Sequence, residues 1–223
     1  EQEIISAAAF GSNFQFGVAT AAYQIEGAYN NDGKGLSIWD KFSERKRKIS
    51  KRGNSKTACD FYHLYEQDIK LMQSLGIKNF RFSISWPRII PFGKGALNPL
   101  GIDFYDRVID CCLKHNIQPW VTLYHWDLPY ALQLEGGWTN RNVVDYFSGY
   151  AYQCAHAFGD RVNNWMVLNE PLAFTFLGHF LGWHAPGCRN MNKFVASIHH
   201  AALAQSEGGR VLKKFNDSFN VGT

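Results

Sequence analysis

Short apolar runs alternate along the chain with longer stretches in which apolar residues recur at steps of three and four. Four of the short runs are aromatic and β-branched, and more continuous than alternating: residues 14–20, 79–85, 118–125 and 163–170. Continuous runs are typical of parallel strands that are covered on both faces. We therefore predict four strands at these positions.

A stretch with helical periodicity follows each predicted strand. Three of these stretches have ordinary start or stop signals: residues 61–72 before Gly76, residues 102–112 after Pro99, and residues 144–158 before Gly159. The fourth covers residues 192–215, but the pair Gly208-Gly209 weakens the prediction for its second half. Repeated strand–helix units predict a parallel α/β sheet with right-handed crossovers.

The fold class expected is a (β/α)8 barrel of the TIM type, of which this chain holds about half. Neither GxGxxG nor GxxxxGK[ST] follows the first predicted strand, which disfavours a doubly wound nucleotide-binding sheet. A closed barrel has eight strands and roughly 250 residues. Four strand–helix units use almost all of the 223 residues, and residues 219–223 resemble the start of a fifth strand.

Composition and charge exclude several classes of protein. Hydrophobic residues make up 46% and charged residues 19%, which excludes a disordered chain. No apolar run approaches the roughly 20 residues that span a bilayer, so no membrane association is expected. The net charge is +4, and six basic residues between 45 and 52 exceed it: Arg45, Lys46, Arg47, Lys48, Lys51 and Arg52. They lie in a stretch rich in Ser, Gly and Asn, which favours a solvated loop over a nucleic-acid site.

The five cysteines suggest a reducing environment. Their number is odd and no CxxC spacing occurs: Cys59, Cys111, Cys112, Cys154 and Cys188. This pattern disfavours a disulfide framework and a structural zinc site. With an acidic start that lacks a basic-then-apolar leader, it predicts a cytoplasmic protein.

The carboxyl ends of the predicted strands supply one chemically coherent set of side chains, since these ends meet at one mouth of a barrel. The set contains amides, an imidazole, indoles, an arginine and carboxyls: Gln24, Glu26, Arg81, Trp86, His125, Trp126, Asp127, Asn169 and Glu170. Amides both donate and accept hydrogen bonds, and indoles offer flat apolar walls. Such a set suits a ligand with many hydroxyl groups.

Glu170 is the strongest candidate for a general acid. It ends an apolar strand, and partial desolvation there would raise its pKa toward neutrality. A solvent-exposed or Arg-paired Glu at a strand end is an equally open interpretation. His125 suits a hydroxyl, a metal or a hydrogen-bonded core position, with metal least favoured because no clustered ligand set is present. Arg81 would be a buried cation in need of an anionic partner.

Six segments in this order closely resemble glycoside hydrolase family 1, the β-glucosidase family: residues 16–27 (FGVATAAYQIEG), 37–40 (SIWD), 58–60 (ACD), 81–89 (RFSISWPRI), 124–129 (YHWDLP) and 168–171 (LNEP). Residues 184–187 (HAPG) also resemble that family's loop after the fourth strand. The similarity runs from about residue 14 to the end. Asn-Glu-Pro alone is shared with related retaining barrels, but the six segments together are highly specific.

The resemblance implies retaining hydrolysis of β-linked glucosides or related oligosaccharides, with no cofactor and no metal. Carried over by position, Glu170 is the acid/base and Asn169 holds the sugar 2-hydroxyl. Gln24, His125 and Trp126 match residues of the innermost sugar subsite. Arg81 matches the arginine that orients the nucleophile. Residues 1–223 would then form the amino-terminal half of the catalytic barrel.

One departure from the family pattern is large. The nucleophilic glutamate of the family lies in a Glu-Asn-Gly setting on the seventh strand, and this sequence contains no Glu-Asn-Gly. Glu26 and Asp127 are the nearest available carboxyls, but their counterparts in the family are not nucleophiles. We therefore expect little or no glycosidase activity from this polypeptide as an isolated monomer.

Three functional interpretations stay open on the sequence. The chain is either half of a β-glucosidase that needs a complementary carboxy-terminal half, or a non-catalytic half-barrel that binds sugar or self-associates through two open sheet edges. A third interpretation, an endo-acting cellulase with the same Asn-Glu-Pro, fits residues 23–27 and 124–127 poorly.

Overall fold

A computed structural model describes residues 7–11, 13–45, 49 and 54–223. Its centre is one parallel sheet of five strands: β1 Gly17–Ala19, β2 Asn79–Ser83, β3 Gln118–Tyr124, β4 Asn164–Leu168 and β5 Asn220–Gly222. Each strand pairs with the next one in the sequence, in the order β1-β2-β3-β4-β5. A doubly wound sheet reverses its strand order at a switch point, whereas a barrel does not. The sequential order therefore confirms the barrel-type winding.

Nine α-helices occur in the described part of the chain: α1 Ala22–Ile25, α2 Ile38–Ser43, α3 Phe61–Ser74, α4 Trp86–Ile89, α5 Pro99–Lys114, α6 Tyr130–Leu134, α7 Val143–Phe158, α8 Pro171–Thr175 and α9 Met191–Phe215. A π-helical segment, Phe176–Phe180, continues α8. The four long helices α3, α5, α7 and α9 follow the first four strands in turn. They confirm the four helices predicted from periodicity.

Helix α9 runs without interruption through the glycine pair that had weakened its prediction. The reason is a close approach between helix and sheet. A Cβ atom on Gly208 would lie 2.7 Å from Val167 Cγ1 and 2.9 Å from Phe147 Cε1. Gly208 therefore lets α9 pack tightly against β4 and α7, and this packing offsets the low helix propensity of glycine.

The predicted strand boundaries were wrong at the first strand. The structure has only Gly17–Ala19 in β1, not residues 14–20, and all three residues are exposed. Phe14 and Phe16 lie outside the strand and are about half exposed, with ring centroids 4.8 Å apart. The other strands begin within one residue of their predicted starts and end one or two residues early.

The hydrophobic core lies between the sheet and the long helices. Trp86, at the start of α4, is fully buried and stacks on Tyr150 of α7 with ring centroids 5.0 Å apart and planes 11° apart. The Tyr150 hydroxyl donates to the Leu123 carbonyl at 2.8 Å. A buried tyrosine thus satisfies its polar group at the end of β3 while its ring fills the core.

The opposite face of the sheet is open and polar. It borders a cavity of about 870 Å³ that is lined by amide side chains of several strands, among them Asn79, Gln118, Asn164 and Asn220. Asn220 Nδ2 donates to Asn164 Oδ1 at 2.9 Å, and Trp120 Nε1 donates to Asn79 Oδ1 at 3.1 Å. The expectation that both faces of every strand are covered does not hold on this side.

Most of the basic cluster noted in the sequence lies outside the described residues. Of the six basic residues between 45 and 52, only Arg45 is described; Lys46, Arg47, Lys48, Lys51 and Arg52 lie outside the described residues. Arg45 Nη1 donates to the Pro186 carbonyl at 2.9 Å.

All five cysteines are free thiols. Among the described residues, no helix is both long and apolar enough to cross a lipid bilayer.

Candidate active site

Four of the predicted site residues, with Asn169 as the link between the other three, meet where β2, β3 and β4 end. Its Oδ1 accepts a hydrogen bond from Arg81 Nη2 at 2.7 Å, and its backbone carbonyl accepts one from Trp126 Nε1 at 2.8 Å. Its Nδ2 lies 3.3 Å from His125 Nε2. Asn169 itself is buried. Asn169, through its side-chain amide and its backbone carbonyl, therefore connects side chains from three neighbouring strands or their ends.

Arg81 reaches this cluster from inside the second strand. Its Nε donates to Thr122 Oγ1 at 3.0 Å, and the side chain is half-buried. Desolvation lowers the pKa of Arg81, while the negative charge of Glu170 acts in the opposite direction. Among the described residues, no carboxylate lies within ion-pair distance of Arg81, and its Nη1 makes no hydrogen bond. An anion on the open side of the sheet would find a donor there.

His125 is a neutral imidazole at ordinary pH. Burial, the larger cause, and the positive charge of Arg81 together lower its pKa to about 4. Its ring lies 5.6 Å from the ring of Trp126. A neutral imidazole and an indole side by side form a surface that can hydrogen-bond hydroxyls and contact the apolar face of a sugar ring.

Glu170 follows β4 in the left-handed region, with φ of +47°, and Trp126 after β3 has φ of +76°. Such angles are unusual for residues with side chains and occur often at functional sites. With Arg81 and Asn169, the Glu170 side chain lines a cavity of about 370 Å³. Glu170 is exposed, so the desolvation expected for a general acid is not supplied by the described residues.

Gln24 lies apart from this hydrogen-bonded cluster. It is in the short helix α1 after β1, and its side chain is exposed. It makes no side-chain hydrogen bond to the described residues of the cluster. The structure places Gln24 after the first strand, as the sequence predicts, but does not bring it into contact with Asn169.

Glu26 and Asp127, the nearest carboxyls that could stand in for the nucleophile of the family, are both buried. Glu26 Oε2 accepts hydrogen bonds from Arg88 Nη2 at 3.0 Å and Nε at 3.1 Å, and its other oxygen accepts one from Tyr105. The Arg88 guanidinium also lies over the Tyr62 ring, 4.4 Å from its centroid. Glu26 therefore has a structural role in a buried ion pair.

The sequence reasoning assigned no role to several residues that border the cluster. The His184 ring lies 5.5 Å from that of Trp126 and 5.4 Å from that of Trp39, and Tyr23 is next, 5.9 Å from Trp39. For His184 the available signal was the resemblance of residues 184–187 to a loop of the family, which by itself gave the histidine no role. Thr122, which holds Arg81, was also missed because a buried threonine in a strand looks like an ordinary core residue.

One other candidate position is structural, since Trp86 is fully buried in the core. His200 of α9 also lies outside the cluster, with its Nδ1 2.9 Å from the Trp138 carbonyl. In the described part of the chain, no group of three or more His, Cys, Asp and Glu side chains could hold a metal ion. The side chains of the cluster are suited to hydroxyl binding and proton transfer.

Comparison with known proteins gives a consistent result. A sequence profile described as "Glycosyl hydrolase family 1" matches residues 6–223. The chain is 48% identical over 213 residues to "Beta-glucosidase A" of Acetivibrio thermocellus, covering 96% of this chain and 48% of that protein. It is 49% identical over 215 residues to "Beta-glucosidase 42" of Arabidopsis thaliana, covering 94% of this chain and 44% of that one.

Solved structures agree with the sequence comparison. A family 1 β-glucosidase from Thermotoga maritima superimposes with a TM-score of 0.93 at 44% identity, over 94% of this chain and 48% of that chain. The same values hold for a structure of a Thermotoga maritima β-glucosidase in complex with glucoimidazole. The chain thus spans about half the length of the relatives that it matches.

Proposed function

This chain belongs to glycosyl hydrolase family 1, and we propose on that basis that its strand-end cluster is the acid/base half of a site that hydrolyses β-glucosidic bonds with retention. The observation that carries the proposal is the hydrogen-bonded group of Arg81, Asn169, His125 and Trp126 beside Glu170. The substrate class is a β-linked glucoside or a related oligosaccharide. No cofactor and no metal take part.

Each residue has one role in the proposal. Glu170 protonates the leaving-group oxygen and later removes a proton from water. Asn169 holds the sugar 2-hydroxyl. His125, Trp126 and Gln24 bind the sugar in the innermost subsite. Arg81 orients the attacking carboxylate, and this role is supported by its place in the lining of the open cavities, with neutral side chains as its hydrogen-bond partners.

We further propose that the nucleophile is not part of this polypeptide. Retaining hydrolysis needs a second carboxyl about 5–5.5 Å from the first. Glu26 is engaged by Arg88 and Tyr105, and Asp127 is 1% exposed, so neither is available to attack a sugar bound at the mouth. The isolated monomer would therefore hydrolyse glucosides slowly or not at all.

The exposure of Glu170 supports the same conclusion by a separate route. A general acid works best at neutral pH when its surroundings raise its pKa, and burial is the usual cause. The polar face beside Glu170 borders the open cavities. A complementary carboxy-terminal half that covers this face would both bury Glu170 and bring a carboxylate to Arg81. Residues 1–223 would then act as the amino-terminal half of one barrel domain.

Complementation tests this proposal. The chain is mixed with the carboxy-terminal half of a family 1 β-glucosidase, and hydrolysis of an aryl β-glucoside is measured. We expect the mixture to exceed the sum of its parts, and Glu170→Gln to abolish the gain. Glu207→Gln is the matched control, because Glu207 is a partly exposed glutamate on α9 far along the chain from the cluster. A gain that survives Glu170→Gln, or strong turnover by the pure chain alone, would contradict the assignment.

The second candidate function is a non-catalytic half-barrel that binds sugar or pairs with a second copy. The observation that favours it is the pair of sheet edges: β1 is exposed throughout, and β5 has two of its three residues exposed. Unpaired edges can add strands from another chain. A stable monomer in sedimentation would argue against pairing, and sugar binding by a form that never hydrolyses would favour this candidate over the enzyme. The free thiols support a reducing, cytoplasmic setting for either candidate.

A further inference from the structure

Asp127 is the most isolated buried carboxyl in the described structure. It is 1% exposed, and neither of its carboxylate oxygens makes a hydrogen bond of ordinary geometry to the described residues, although the Ser85 hydroxyl is close enough to act on its pKa. It directly follows His125 and Trp126, and Trp126 has the unusual φ of +76°. A buried ionised carboxylate without partners is strongly destabilised. The carboxyl therefore needs either a counter-charge or a proton.

The nearby counter-charges are already paired. Arg88 Nη2 lies 3.0 Å from Glu26 Oε2, and Lys34 Nζ lies 3.6 Å from Asp40 Oδ2, with all four side chains at most 7% exposed. Two buried cations thus match two buried carboxylates. If Asp127 were ionised as well, the cluster would carry one uncompensated negative charge.

The groups that face Asp127 from the surrounding elements do not change this balance. They are the hydroxyl of Ser85, the charges of Lys34 and Glu26, and three tyrosines from α1, β3 and α7: Tyr23, Tyr124 and Tyr150. The pKa of Asp127 is raised to about 7 in their presence: burial is the main cause, Ser85 and Lys34 act to lower the pKa, and Glu26 acts to raise it. Burial also raises the pKa of each of these tyrosines, so all three are neutral at ordinary pH.

We propose that Asp127 is a positioning residue that works as an un-ionised carboxylic acid: while it holds its proton it keeps the turn with His125 and Trp126 in the present conformation, and loss of that proton to solvent loosens the turn. The turn is connected to the site through the hydrogen bond from Trp126 Nε1 to the Asn169 carbonyl at 2.8 Å. Only the consequence for sugar binding depends on the proposed function. The link between the proton and the turn does not.

Nuclear magnetic resonance tests this link without any measurement of hydrolysis. The indole N–H of Trp126 is followed in the ¹⁵N-labelled chain from about pH 3 to about pH 9, a range that includes the unperturbed pKa values of both aspartate and histidine. We expect its resonance to shift with a midpoint near neutral pH in the wild type. In Asp127→Asn, where a neutral amide of the same shape replaces the acid, we expect the shift to be lost while the low-pH position is kept.

Two controls make the result specific. Asp217→Asn makes the same chemical change at an exposed aspartate, and its Trp126 resonance should titrate as in the wild type. The Asp127 carboxyl ¹³C resonance of the wild-type chain should share the indole midpoint, and this comparison stands even if Asp127→Asn does not fold. A carboxyl midpoint near 4, an indole titration unchanged in Asp127→Asn, or an indole midpoint near 4 that follows His125 would each overturn the proposal.

Discussion

The two faces of the sheet differ in how far the described residues cover them. On the helix side, Phe80, Val121 and Trp165 are fully buried, and the core continues into the four long helices. On the open side, the alternate positions Arg81, Trp120 and Met166 remain partly exposed. Along one strand, then, neighbouring residues serve different purposes: one set fixes the fold, and the other presents chemistry. Substitutions on the two faces should therefore differ sharply in effect.

The largest difference in stability is expected between neighbours on β4. Trp165→Ala removes a fully buried indole and should lower the free energy of unfolding by about 3–5 kcal/mol. Met166→Ala, one position along on the open side, should lower it by about 1 kcal/mol or less. Urea unfolding followed by circular dichroism measures both. Equal losses would contradict the contrast between the two faces.

A pH-dependent difference should come from the buried side next to the site. Because the pKa of Asp127 is about 7 in the folded chain and near 3.8 when unfolded, the folded state binds more protons between these values. Its contribution to stability therefore falls as pH rises from about 4 to about 7, by up to about 4 kcal/mol.

Histidines oppose this trend. Burial lowers the pKa of His125 and of His179 to about 4, so the unfolded chain binds their protons more readily and stability rises over the same range. The informative quantity is therefore the free energy of unfolding of the wild type minus that of Asp127→Asn at each pH. This difference should decline between about pH 4 and pH 7, and a flat difference would show that Asp127 ionises normally.

The glycine pair of α9 offers a contrast between two adjacent positions. Gly208→Ala should lower the free energy of unfolding by about 1–3 kcal/mol, because the new methyl group would meet Val167 and Phe147 below 3.0 Å. Gly209→Ala has its nearest neighbour at 3.9 Å and should raise stability by about 0.5–1 kcal/mol through helix propensity. Thermal unfolding of both variants checks the signs, and two changes of the same sign would refute the close approach.

The smallest effect is expected on the open face. Asn220→Ala removes the hydrogen bond to Asn164 and should lower the free energy of unfolding by about 0.5–1 kcal/mol. Asn163→Ala, at an exposed asparagine one residue before β4, is the control and should change little. A loss from Asn220→Ala as large as that from Trp165→Ala would mean that the open face is packed as firmly as the core.

Much of the fold could be predicted from the sequence because its signals are local. Helical periodicity and the stops at Gly76 and Gly159 located α3 and α7, and the strand–helix alternation predicted the parallel sheet. Two local sequence signals gave wrong or weakened predictions, because the outcome depended on packing against distant parts of the chain. Gly208 looks like a helix breaker until its approach to Val167 is known, and Phe14 and Phe16 look like strand residues although they lie before β1.

The candidate site was predictable as a set of residues but not as a geometry. Strand ends pointed to Arg81, His125, Trp126 and Asn169, which do meet. The exposure of Glu170 could not be predicted, because burial depends on what other parts of a molecule cover it. The pairing of Glu26 with Arg88 joins residues 62 positions apart and has no sequence signature.

The amide of Asn169 also sets where one hydrogen atom sits on a neighbouring ring. An arginine can only donate, so its bond to Oδ1 leaves Asn169 Nδ2 facing His125 Nε2. An amide nitrogen can only donate as well, so Nε2 must offer its lone pair and the imidazole carries its hydrogen on Nδ1. Arg81, a permanent cation on β2, thereby selects the tautomer of His125, which directly follows β3. Replacing Asn169 by aspartate would reverse that choice.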